Sequence, residues 1–250
     1  ENSNFVFRPT KQRLGRGDVE VRWNLPGDSY IAAGLNHGLT NYLDEFSWYD
    51  PNTGSNVLHN SGTVNQLATR AVIGFDNRDN PWYPARGVLA EATAQNWSGD
   101  GFDSYSEFIG DLRVFVPIPL GKHVLAMHAW GRQTDGPVQL DNTLFFGGPE
   151  TVRGYRFAGL EGDEGYLLSA EYRIPLFMMP ISPKGEMVGM GLHVFGDAGD
   201  AWYDSTEPGR ALQSWGGRVH INIDRMQLRF EGAKTREGEW VFEFMDHFNF

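Results

Sequence analysis

A chain of 250 residues with a formal net charge of -11 and no cysteine has no disulfide scaffold and no thiolate metal site, and it lacks the cationic excess on which nucleic-acid binding draws. Hydrophobic residues make up 40% and aromatic residues 14%, with 31 Gly, yet no window approaches the roughly 18 unbroken apolar residues of a membrane-spanning helix. A helical membrane protein is therefore excluded, while a soluble all-β domain and a transmembrane β-barrel, which hides polar residues between lipid-facing ones, both stay open. The chain begins at Glu1 without an initiator Met or a signal segment, and it reads as a mature or excised piece.

Period-two runs predict strands near 4–11, 18–25, 29–42, 62–76, 86–97, 104–118, 122–133, 165–176, 187–203, 211–223, 226–234 and 239–250. Nothing between them resembles a linker, so residues 1–250 read as a single barrel domain. Alternation is poorest at 4–11, 86–97 and 122–133, and clearest toward the C-terminus. There Tyr166, Leu168, Ala170, Tyr172 and Ile174 alternate with Leu167, Ser169, Glu171 and Arg173. Further on, Val188, Met190, Leu192 and Val194 alternate with residues that include His193, Phe195 and Asp197 on the other face.

The last run carries Trp240, Phe242, Phe244, Phe248 and Phe250 on one face. Alternate side chains of a strand point to opposite sides, so this face is an aromatic wall at the end of the chain. The polar faces of the C-terminal runs hold ionisable groups of both signs, which suits a barrel interior. The fold class read from this pattern is an all-β antiparallel transmembrane barrel of about twelve strands in a bacterial outer membrane. An even count, and short turns opposed to the long segments 43–61 and 134–164, suit such a barrel, with the short turns on the periplasmic side.

The 134–164 segment contains Phe145-Phe146-Gly147-Gly148-Pro149-Glu150-Thr151-Val152-Arg153-Gly154-Tyr155. Upstream lies Phe75-Asp76-Asn77-Arg78-Asp79-Asn80-Pro81-Trp82-Tyr83-Pro84-Ala85-Arg86-Gly87, and downstream Phe195-Gly196-Asp197-Ala198-Gly199. In this order, and with the terminal Phe250, they resemble the bacterial surface antigen superfamily, which includes outer-membrane assembly factors and two-partner secretion transporters. The resemblance covers about 62–250, with Gly196 departing from the family's aromatic position. It implies a lid loop at 134–164 folded into the lumen, carrying the Val152-Arg153-Gly154-Tyr155 motif. It also implies an Arg153 pinned by acidic residues of the inner wall, and a C-terminal strand read by assembly machinery. Family barrels usually have sixteen strands and periplasmic polypeptide-transport-associated (POTRA) domains; this chain has room for about twelve strands and no such domains. The even count favours a complete, closed barrel, since cut edges in lipid would leave backbone groups unpaired.

Alternation places Glu171 and Asp197 inward on adjacent strands, and a guanidinium fork can bridge two such carboxylates. Taken without the resemblance, Arg153 is an ordinary solvated loop residue. Asp76, Asp79 and Pro81 read as a hydrogen-bonded turn, because Asx side chains and Pro stabilise reversals; a cation site there would need six or more converging oxygens. No metal and no cofactor is implied. Catalysis is not expected either: His128 and His220 are the plausible bases among seven His, but no Gly-x-Ser-x-Gly elbow accompanies them. Two functions stay open, a protein assembly or secretion transporter, and a structural barrel or narrow pore anchoring a soluble passenger or partner domain. The partners implied are outer-membrane lipid, the assembly machinery, and a polypeptide substrate or periplasmic partner domain.

Overall fold

Pro26-Gly27-Asp28 shows how local chemistry starts the architecture. Gly27 and Asp28 both adopt positive φ, 74° and 61°, the backbone twist that lets two strands turn back on each other. The strands it joins, β1 (Gln12–Asn24) and β2 (Ser29–Tyr42), pair antiparallel along their whole length, from Asn24↔Tyr30 to Gln12↔Tyr42. In this computed structural model the described residues are 12–43, 46–50, 55–59, 62–81, 83–100, 103–180, 187–203, 209, 211–223 and 226–247.

A short hairpin, β3 (Phe46–Asp50) and β4 (Ser55–His59), lies in the long connecting segment 43–61, where the sequence predicts no strand. The wall resumes with β5 (Gly62–Asp76), β6 (Gly87–Gly99), β7 (Tyr105–Ile118) and β8 (His123–Asp135). After it the chain makes a single 3-10 turn, Leu140–Asn142, and two three-residue strands, β9 (Leu144–Phe146) and β10 (Leu160–Gly162), which pair with each other. It then returns to the wall as β11 (Glu164–Pro180), β12 (Met187–Trp202), β13 (Leu212–Ile223), β14 (Met226–Thr235) and β15 (Trp240–His247).

Eleven strands form one antiparallel sheet in the order β1-β2-β5-β6-β7-β8-β11-β12-β13-β14-β15. Each is hydrogen-bonded to the next wall strand in sequence, the arrangement of an up-and-down barrel. Eleven of the expected strands are found with boundaries that shift by a few residues; the expected strand at 4–11 lies outside the described residues. Two shifts have clear causes. β1 starts at Gln12 rather than 18, because β2 supplies a hydrogen-bonding partner over a stretch, Leu14 to Asp18, whose Gly and charged residues hide any alternation. β11 runs to Pro180 rather than 176, past a bulge between Pro175 and Phe177. Pro175 has no N–H to give to the ladder, and one slipped residue lets pairing continue beyond it.

The two faces of this sheet differ in chemistry. Phe242 is 77% exposed, and Trp240, Phe244, Val194, Phe230 and Trp215 share its outward side. Inward, Glu171, Arg173, His193, Asp197, Arg218, Arg229 and Glu231 are buried. This inverts the usual soluble arrangement of apolar core and polar surface, and it is the arrangement lipid demands. The sheet also curls: Arg173 of β11 donates to the Pro84 carbonyl at 3.3 Å, from the turn after β5, three wall strands and more away.

Candidate functional site

The segment between β8 and β11 folds inward as a tongue. Near its root Tyr42 donates to Asp141 at 2.7 Å, while Asn142 donates to Gln66 at 3.0 Å and to the Tyr105 hydroxyl at 2.7 Å. Its return limb is tied by the Asp163 amide to the Trp202 carbonyl at 2.9 Å. Between these roots Phe146 and Val152 pack with Leu167 of β11 and Ala201 of β12 in a small apolar core. That core holds the tongue against the β11–β12 wall and leaves residues 147–159 to form the tip. There Thr151 Oγ1 accepts from the Gly147 amide at 2.8 Å and donates to its carbonyl at 3.0 Å, closing the turn.

Gly154 follows at φ 86°, and a Cβ on it would lie 2.9 Å from that of Ala233 on β14. Only glycine accommodates both the left-handed backbone and the close approach to the wall. That approach delivers the preceding side chain to the interior. Arg153 Nε and Nη2 donate to the two oxygens of Asp197, each at 2.6 Å, in a bidentate fork. Arg153 Nη1 donates to Glu171 Oε2 at 3.0 Å and Nη2 also to Ser169 at 3.1 Å, while Ser169 donates to Asp197 at 2.7 Å. The guanidinium lies 3.5 Å above the centre of the Phe195 ring. Burial works against a charged Arg153, but the hydrogen bonds and charge of Asp197, together with Glu171, hold its pKa above the ordinary arginine value.

Glu171 is shared further. Its Oε1 lies 2.8 Å from Arg173 Nε and 2.9 Å from His193 Nδ1, and its Oε2 lies 3.4 Å from Arg218 Nη1. Arg218 also donates to Glu231 at 2.8 Å. Three guanidiniums, Arg153, Arg173 and Arg218, thus meet three carboxylates, Glu171, Asp197 and Glu231, out of water. Buried charges of this kind are tolerated only beside their partners. On the outer side of the loop Tyr155 donates to Glu237 at 2.6 Å, and burial followed by that hydrogen bond raises the phenol's pKa.

At the turn after β5, Asp76 takes Arg78 Nε at 2.8 Å, and Asp79 accepts the amides of Ala85 at 3.0 Å and Arg86 at 3.3 Å. Pro81 contributes its carbonyl to Arg78 at 3.5 Å. Trp240, Phe242 and Phe244 line the outer face, whereas Phe248 and Phe250 lie outside the described residues. Sequence reasoning missed Phe195 as the platform for Arg153, as well as Ser169, His193, Arg218 and Glu231 as members of the network. The alternation placing Ser169, Arg218 and Glu231 on inward faces carried the signal. Their convergence on one carboxylate depends on the curl of the sheet. Of the two histidines considered as bases, His220 packs its ring against His193 at 4.4 Å and Tyr83 at 5.7 Å, and His128 sits 3.1 Å from Asp111.

An exposed apolar belt around a charged interior, entered by a loop from one end, defines a transmembrane β-barrel with an inserted loop. Residues 8–244 match the Omp85 superfamily domain, and the chain belongs to that superfamily; it is a bacterial outer-membrane protein, as its motifs implied. No curated protein matches the chain. The fold is similar to that of BamA from Haemophilus ducreyi lacking POTRA domains 1–3, with a TM-score of 0.72 and 14% identity, over 95% of this chain and 54% of that one. The chain therefore spans about half the length of that structure, and at this identity the likeness establishes the barrel fold.

Proposed function

We propose that residues 1–250 form one outer-membrane barrel domain of the protein assembly or secretion type, in which residues 134–164 act as a lid loop pinned in the lumen by Arg153. The observation that carries this reading is the burial of Arg153 between Asp197 and Glu171, with Arg153 3% exposed. Membership of the Omp85 superfamily gives the assembly and secretion class. A charged residue buried in its own complementary pocket is costly to move, yet it needs no covalent change to be released. That combination suits a loop kept in place at rest and displaced when polypeptide engages the barrel. The aromatic C-terminal segment, with Trp240, Phe242, Phe244, Phe248 and Phe250 in its sequence, would be the part through which assembly machinery inserts the barrel itself, and lipid would cover its outer wall.

The test is reconstitution in lipid vesicles with an unfolded outer-membrane barrel chain as substrate, followed by the appearance of its heat-resistant folded form. The intact protein should speed folding over empty vesicles, and Arg153→Ala should change that rate while Arg156→Ala does not. Equal rates with and without the protein, together with unaltered outer-membrane protein content in cells that lack it, would overturn the transport reading. They would leave the barrel as a pore or an anchor for a soluble domain.

A further inference from the structure

The turn between β5 and β6 does not hang below the barrel. Its own side chains brace it: Asn77 accepts the Val88 amide at 2.7 Å, Asp79 caps Ala85 and Arg86, and Asn80 accepts the Tyr83 amide at 3.3 Å. Ala85 packs on Phe115, Val124 and Ala126 of the wall. So braced, the turn pushes Tyr83 and Pro84 into the interior, where Pro84 is less than 2% exposed. The Tyr83 ring lies 6.4 Å from the ring of His193 and 5.7 Å from that of His220, and its hydroxyl is 3.3 Å from His193 Nε2. The Arg173 guanidinium stands 5.0 Å from the Tyr83 ring and donates to the Pro84 carbonyl at 3.3 Å.

Arg173 and His193 are the two groups held by Glu171 Oε1, while Glu171 Oε2 holds Arg153. One carboxylate therefore faces the tongue with one oxygen and the opposite turn, through one intervening side chain, with the other. We propose that the turn around Tyr83 and Pro84, residues 77–81 and 83–86, forms a second plug, inserted from the short-turn mouth, and that it is coupled to the lid loop through Glu171. Displacing the lid takes Arg153 from Glu171 Oε2. Displacing the turn takes Tyr83 and Pro84 from Arg173 and His193, the side chains that hold Oε1, so either movement disturbs the network that the other insertion leans on. The coupling is reciprocal, so a ligand that withdraws the turn from its own mouth loosens the lid at the far one. This inference rests on the pinned-lid reading but does not need the barrel to transport anything.

Hydrogen exchange of the intact chain in detergent, read by mass spectrometry over 148–160 and 77–86, tests it, with the heat-resistant gel band as the check on folding. Tyr83→Ala should raise exchange in 148–160 roughly tenfold, within the usual range of coupling between sites, and Tyr83→Phe should raise it less. In a Glu171→Gln background Tyr83→Ala should add almost nothing to exchange of the lid. Should Tyr83→Ala lose the folded band, Tyr83→Phe carries the measurement, because it removes only the hydroxyl. Arg153→Ala should in turn raise exchange over 77–86. If Arg153→Ala frees the lid while the turn stays protected, and the Tyr83 variants free the turn while the lid stays protected, the plugs are independent and the inference fails alone. If Arg153→Ala leaves the lid protected, the pinned-lid reading falls and the coupling with it.

Discussion

The wall formed by β11 to β14 and the wall formed by β1, β2 and β5 are built from the same alternating strands, yet they hold the interior in different ways. On the first, the charged side chains are sealed: Arg153 and Glu171 are 4% and 3% exposed, and the network closes around the tongue. On the second, Arg70 meets Asp18 and Glu20, but these side chains are 29%, 45% and 33% exposed. The tongue's root touches the second wall through Tyr42 and Gln66, with Tyr105 of β7 beside them, whereas its tip is seated in the first. Ion pairs out of water lose several kcal/mol when one partner goes, whereas pairs in water contribute about 0–1 kcal/mol. The interior ion pairs are thus sealed from water on the C-terminal wall and open to it on the N-terminal one.

The largest effect expected from this contrast is that of Arg153→Ala. Removing the guanidinium leaves Asp197 and Glu171 buried without it, at a cost of about 3–5 kcal/mol, visible as a lower temperature for loss of the heat-resistant gel band. Combined with Asp197→Ala, the double variant should be less damaging than the two single effects added together, by about 0.5–3 kcal/mol. Full additivity would dissolve the clamp. Next comes Gly154→Ala, where a methyl group meets Ala233 and the backbone sits at φ 86°. A cost of about 1–3 kcal/mol and faster trypsin cleavage at Arg156 are expected; unchanged cleavage would show that the tip tolerates retreat from the wall.

A smaller loss, about 1–2 kcal/mol, should follow Phe195→Leu, which keeps an apolar platform but removes the ring face under Arg153. A loss as large as that of Arg153→Ala would mean that Phe195 supports the wall rather than the cation. At the low end, Arg70→Ala on the opposite wall should cost no more than about 1 kcal/mol and lose even that at high salt, where exposed charges are screened within ~3 Å at 1 M. A large, salt-insensitive loss would erase the asymmetry between the walls.

Strand positions and faces were legible in the sequence because a sheet with lipid on one side and charge on the other must alternate. Glu171 and Asp197 read as inward, and Trp240 and Phe242 as outward, from residue parity alone. The β3–β4 hairpin and the small β9–β10 pair escaped notice, since each lies in a long segment whose short runs carry too few alternations to count. Arg153 drew attention through its motif and not through its chemistry, because an arginine between glycines and a proline reads equally well as a solvated loop residue. Tyr83 and Pro84 read only as part of a turn, for hydrogen-bonded Asx chemistry looks the same whether the turn faces solvent or a lumen.

What the sequence by itself determined was the local geometry: where the chain extends, where it turns, and which side chains share a face, all set within a few residues by sterics and solvent. Only the tertiary structure decided that Arg153, Arg173, His193 and Arg218 converge on Glu171. They come from a loop and three strands, and the distance between them is fixed by how far the sheet curls and how deeply the loop enters, which no local pattern encodes. The physical reason is that a buried charge is tolerable only beside its partners, and partners remote in the chain meet only once the whole wall has formed.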